Sequence, residues 1–112
     1  MCEPVLYGSA EFADEFVGRE SAEAGMSSYT AVENAVRDAL DGVIDGMATA
    51  PISKSAWALA GLPWRGHTEC LGALTGTDHV RMLFYSSRLT VVLSTVHMAI
   101  ADVSKMLTKE CL

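Results

Sequence analysis

Val43-Ile44-Asp45-Gly46-Met47-Ala48-Thr49-Ala50-Pro51-Ile52-Ser53-Lys54 is where the chain passes from helix to strand and back, and its reading decides the fold. The short apolar run from Val43 to Thr49 predicts a strand. Pro51 bounds it, because the ring fixes φ and removes a ladder donor. Ser53 is placed to cap a short helix from Lys54 to Ala60, and Gly61 ends it. Upstream, Met26, Tyr29, Val32, Val36, Ala39, Leu40 and Val43 recur at steps of three and four, the apolar stripe of a helix that starts near Ser21 and stops at Gly42. Helix, strand and helix in succession predict α/β layering.

Downstream, Leu62-Pro63-Trp64-Arg65-Gly66 reads as a turn, followed by a helix from Thr68 to Leu74 that Gly76 closes. Val80 to Tyr85 and Leu89 to Val96 read as two buried strands, joined as a hairpin through Ser86-Ser87-Arg88. Val103, Met106, Leu107 and Cys111 then fall at helical spacing, a last helix opened by Ala101 or Asp102. Residues 1–19 are acidic and weakly periodic, a lead-in that holds one strand at most. With no internal repeat or linker, residues 1–112 are expected to form a single partial domain.

Composition narrows the function. The net charge of −6 argues against unspecific binding to nucleic acid or an anionic membrane, since both need clustered Lys and Arg. A small anionic substrate is allowed, because one or two local cations suffice for it. Cys2, Cys70 and Cys111 are odd in number and contain no Cys-x-x-Cys pair, so they read as incidental or buried thiols of a reducing compartment. The start, Met1-Cys2-Glu3-Pro4, lacks the basic and apolar regions of a secretory signal, and no apolar run approaches the ~20 residues that cross a bilayer. The expected location is cytoplasmic.

Two places carry candidate chemistry. His67-Thr68 stands at the start of a predicted helix, where unsatisfied N–H groups and both side chains could hold a phosphate or carboxylate. The competing reading has Thr68 as the helix cap, Glu69 favouring the first turn and His67 on the surface; spacing alone favours it. His97 ends a strongly apolar strand as a metal ligand, a general base or a structural edge residue, and spacing favours the last, since zinc-type sites need three or four ligands. His79 lies in a Thr-Asp-His turn and reads as a solvated loop. Lys54 and Arg65 could supply positive charge or simply be solvated, and Trp57 and Trp64 read as packing anchors. No Gly-x-Gly-x-x-Gly or Walker-type loop is present.

Taken together, Ser21-Ala22-Glu23-Ala24-Gly25, Thr49-Ala50-Pro51-Ile52-Ser53-Lys54, Gly66-His67-Thr68-Glu69, Leu74-Thr75-Gly76, Leu89-Thr90-Val91 and Thr95-Val96-His97 occur in an order and at intervals that resemble the middle of the 4-hydroxythreonine-4-phosphate dehydrogenase (PdxA) family. The resemblance spans roughly residues 20–110. It implies a fragment of an isocitrate/isopropylmalate-dehydrogenase-like α/β fold with layered helices and a mixed sheet, and a homodimer or a missing remainder of the enzyme as partner. It also implies oxidation then decarboxylation of 4-phosphohydroxy-L-threonine in pyridoxal 5'-phosphate synthesis, with NAD or NADP and a divalent metal such as Zn, Mg or Co. His67 and Thr68 are then substrate contacts and His97 a metal ligand.

The family's other two metal histidines and its cofactor region have no counterpart here, so the isolated chain is expected to be inactive. The alternatives are a non-catalytic binding or dimerisation module built from the same fold and a related dehydrogenase of phosphorylated hydroxy acids.

Overall fold

A computed structural model describes residues 3–8, 18–78 and 80–109. The elements run α1 (Ala22–Leu40), α2 (Lys54–Leu59), α3 (His67–Thr75), β1 (Leu83–Tyr85), β2 (Thr90–Val92) and α4 (Ile100–Met106). The chain divides into two compact units, Met1–Asp78 with the first three helices and His79–Leu112 with the rest.

In the first unit the helix boundaries follow local chemistry. Ser21 caps α1, its side chain accepting from the Ala24 N–H at 3.1 Å, and Glu23 in the first turn and Arg37 in the last complement the helix dipole. The chain leaves α1 through Asp41 into Gly42, whose φ of 72° lies in the left-handed region that favours glycine. Ser53 caps α2 in the same way, accepting from Ala56 N–H at 3.1 Å. α3 ends at Gly76, again left-handed with φ 65°.

The core lies where α1 meets α2 and α3. Val32, Val36, Trp57 and Cys70 form its buried centre, with Tyr29, Met47, Ile52, Leu62, Trp64, Leu71 and Leu74 packed around them. Trp57 has no solvent exposure, and its indole N–H donates to Ser28 Oγ at 2.8 Å, so the one polar atom of a large buried ring is satisfied. Ser28 Oγ in turn donates to the Gly25 carbonyl at 2.9 Å. Tyr29 stacks on Trp64 with ring centroids 5.2 Å apart and meets Trp57 edge-on at 6.2 Å. The two tryptophans are packing anchors, as their sequence context predicts.

Gly25 permits this arrangement. A Cβ built on it would stand 2.1 Å from the Ala56 carbonyl oxygen and 2.5 Å from the carbonyl carbon, so the backbones of α1 and α2 meet where only hydrogen fits. The periodic stripe missed this contact. Its last members, Leu40 and Val43, are 63% and 66% exposed, while the buried face of α1 is Gly25, Val32, Ala35 and Val36. Gly25 is buried because α2 comes so near.

Three expectations for strands and their burial need correction. Val43 to Thr49 is extended or turn-like but is not a strand, because among the described residues nothing pairs with it. The later strands form the expected antiparallel hairpin with register Leu83↔Val92, Phe84↔Val91 and Tyr85↔Thr90, but each has three residues, not six or eight. Ser86 fixes the turn: its N–H donates to Leu89 O and its Oγ accepts from Leu89 N–H, both at 3.0 Å.

Both strands are exposed throughout, not buried. Apolar runs of this kind suit a sheet covered on both faces, and an isolated two-stranded hairpin has no second face of its own to bury them. α4 begins at Ile100, one or two residues before the predicted opening, and ends at Met106, short of Cys111, which lies outside the described residues. Of the lead-in, the described residues Glu3–Gly8 hold no strand.

Candidate functional site

α3 starts one residue earlier than the sequence suggests. Gly66, not Thr68, occupies the cap position, and it has no side chain with which to cap. The first turn is closed instead by Glu69, whose Oε2 accepts the Arg65 backbone N–H at 2.7 Å, a reach back from the third helical position like half of a capping box. Because Gly66 leaves the cap position bare, the amide groups of the first turn have no side-chain oxygen to take them up. Thr68 is exposed in this turn with its hydroxyl uncommitted to capping.

His67 is the first helical residue, half-buried and packed edge-on against Trp57 with centroids 5.9 Å apart. The surface placement expected for it under the capping alternative is therefore incorrect. Its Nε2 is shut off from solvent and has no hydrogen-bond partner among the described residues. Leaving a buried polar atom unpaired costs about 1–3 kcal/mol, so this nitrogen marks a place where a partner is wanted. The same residue lines a concave pocket of about 1000 Å³ that runs between residues 3–8, α1 and the extended segment 43–52.

A cation stands beside this turn. Ser53 caps α2 and thereby fixes Lys54 as its first residue, and Lys54 Cε comes within 3.8 Å of where a Cβ on Gly66 would be. His67, Thr68, the open amide groups and the Lys54 stem thus share one location. Sequence reasoning weighed Lys54 as an unspecific charge; what it lacked was the packing of α2 beside the start of α3. Arg65 is exposed.

Nearby, Cys70 is wholly buried, and its thiol is pushed above the usual range by burial and, secondarily, by the Glu33 carboxylate. Tyr29 is raised to about 12 by burial and by its hydrogen bond to Glu33 Oε1 at 2.9 Å. Both are held in their neutral forms, which suits packing rather than nucleophilic chemistry.

His97 lies in the second unit, five residues beyond the end of β2, and is exposed. Its φ of 54° is left-handed, a conformation uncommon for a side-chain-bearing residue though less so for histidine. Among the described residues no three His, Cys, Asp or Glu gather to hold a metal ion. His79, predicted as part of a solvated loop, lies outside the described residues. No helix among the described residues is long and apolar enough to cross a membrane.

The model of the family described as pyridoxal phosphate biosynthetic protein PdxA matches residues 4–112. The chain belongs to the PdxA family. It is 44% identical over 98 residues to the 4-hydroxythreonine-4-phosphate dehydrogenase of Geobacter metallireducens, covering 88% of this chain and 29% of that protein. With the enzyme of the same name from Beijerinckia indica it shares 43% identity over 86 residues, covering 77% of this chain and 26% of the relative.

Solved PdxA-family structures agree. The 4-hydroxythreonine-4-phosphate dehydrogenase of Burkholderia phymatum superposes with a TM-score of 0.77 at 37% identity, and that of Klebsiella pneumoniae with 0.76 at 34%; each comparison covers 84% of this chain and 28% of the other. The chain therefore spans under a third of the length of these relatives, and its mixture of helices with a small sheet is that of an α/β fragment.

Proposed function

We propose that these 112 residues carry part of the substrate site of an NAD- or NADP-dependent dehydrogenase that oxidises 4-phosphohydroxy-L-threonine, with decarboxylation following, in pyridoxal 5'-phosphate synthesis. The names and identities of the relatives support the substrate class. The observation that carries the site is the unpartnered Nε2 of His67, beside the uncapped first turn of α3 and the Lys54 stem.

His67 is one hydrogen-bonding partner for the substrate, and Thr68 offers a hydroxyl from the same turn. The first-turn amide groups and the Lys54 ammonium favour a negatively charged group there. Trp57 holds the imidazole ring at a fixed tilt, so the contact is pre-oriented. A nicotinamide cofactor, bound in the complete enzyme, would supply the hydride acceptor. The described residues do not by themselves fit a divalent metal, since among them His97 is one donor where a catalytic site needs about three. For the complete protein the reading includes an isocitrate/isopropylmalate-dehydrogenase-like fold, a cytoplasmic homodimer and His97 as one metal ligand.

The isolated chain is accordingly a partial site without turnover. Titrating 4-phosphohydroxy-L-threonine into it should shift the His67 ring resonances, and His67→Ala should abolish the response. Absence of any shift at millimolar substrate refutes the site. Formation of NADH by the chain alone, with divalent metal and NAD supplied, refutes the claim that it is only part of one.

A further inference from the structure

We infer that Ser28 is a positioning residue for the substrate site, acting on the His67 imidazole through the Trp57 ring. This role presupposes the contact proposed for His67 and adds to it a residue from another helix.

The relay starts on α1. Ser28 Oγ donates its only proton to the Gly25 carbonyl at 2.9 Å, so lone pairs are what it presents to Trp57. The indole N–H, a donor with no acceptor capacity, gives its proton to that oxygen at 2.8 Å. Each bond in the relay therefore runs in one direction. Trp57 has no solvent exposure, so if its ring turned over no water could take the N–H. The Ser28 oxygen thus selects one of the two ring orientations. The main chain is held separately, by the Trp57 N–H to the Ser53 carbonyl at 3.1 Å and by the close approach of α2 to Gly25.

The relay ends on α3. The His67 ring meets the indole edge-on, with centroids 5.9 Å apart and planes at 64°. Its Nε2 has no partner among the described residues, so no hydrogen bond at that atom sets where it points. Packing against the indole does. The indole is lopsided, and turning it over exchanges its five- and six-membered edges, which changes the surface the imidazole rests on. Holding one side chain ready in its bound rotamer improves affinity about two- to tenfold.

The probe is 4-phosphohydroxy-L-threonine, titrated into the 112-residue chain and followed by the His67 ring resonances. Ser28→Ala should raise the apparent Kd about two- to tenfold. Ser28→Thr, which keeps the oxygen, should bind like the parent. Trp57→Phe removes the same bond from the donor side and should also weaken binding; adding Ser28→Ala to it should cost nothing more, because the two residues act as one. Val36→Ala, a truncation elsewhere in the core, should lower Tm and leave Kd unchanged.

The role is overturned if Ser28→Ala binds as tightly as the parent, or if Ser28→Thr binds as poorly as Ser28→Ala. Additive losses in the double variant would make Ser28 a direct contact instead, and an equal loss in Val36→Ala would reduce the effect to stability; either result overturns it. A parent chain that gives no response refutes the site itself and the role of Ser28 with it. A response lost in His67→Ala but intact in Ser28→Ala leaves the site standing and refutes the role of Ser28 alone.

Discussion

Replacing Gly25 by Ala tests the packing of the first unit most directly, because two opposed effects of known size meet there. In an exposed helix the change stabilises by about 1 kcal/mol, since Ala is the better helix former. Here the new Cβ would lie 2.1 Å from the Ala56 oxygen, 2.5 Å from its carbon and 3.1 Å from the Trp57 nitrogen. All three are backbone atoms, so no rotamer change relieves the clash. α2 must retreat from α1 by about 1 Å to restore ordinary contact distances.

Overpacking of this kind costs up to about 3 kcal/mol, and the retreat also loosens the Trp57 to Ser28 hydrogen bond, worth about 1 kcal/mol. Against the propensity gain the net loss is about 3 kcal/mol, a fall in Tm on the order of 10–20 °C for a unit of this size. Thermal melts followed by far-ultraviolet circular dichroism and by tryptophan emission measure it. Gly46→Ala is the control: nothing lies within 4 Å of that position, and its Tm should match or slightly exceed the parent. A Gly25→Ala chain as stable as the parent would refute the close approach of α1 and α2.

The remaining predictions concern the neutral groups around that core. Tyr29 should ionise only near pH 12, seen as a late phenolate absorbance step missing from Tyr29→Phe. Because its folded pKa is raised above the ordinary value of 10.0, its contribution to stability is complete below pH 10 and is lost as pH rises through 12. An unfolding curve whose alkaline decline is identical in Tyr29→Phe would contradict this. Cys70, wholly buried with its thiol pushed upward, should be alkylated by iodoacetamide at pH 8 at least ten times more slowly than an unstructured peptide thiol, read by peptide mapping. Labelling at the peptide rate would show that the pocket around it opens freely.

The helices were legible in the sequence because their signals are local. Ser53 as a cap, Gly42 and Gly76 as stops and the hairpin at Ser86-Ser87-Arg88 all depend on residues within a few positions of one another. The strand expected from Val43 to Thr49 was not realised, since a strand exists only with a neighbour and no periodicity states whether one is present. Gly25 hid for a related reason: a residue without a side chain leaves no mark in an apolar stripe, yet it sets how closely two helices approach. At the site, His67 and Thr68 stood out as a pair through their motif. That Gly66 rather than Thr68 begins the helix, and that Lys54 arrives from a different helix, depends on the packing of α2 against α3.

The hairpin has a consequence for the life of the chain in a cell. Leu83, Phe84, Tyr85, Leu89, Val91 and Val92 all face water on a short ribbon, the kind of segment that quality-control proteases and holdase chaperones grip first. Arg81 and Arg88 sit beside the strands, in the place of the charged gatekeepers that keep such ribbons from stacking on one another. An apolar ribbon held open in the folded chain offers such factors a grip that the melting point of the helical core does not control.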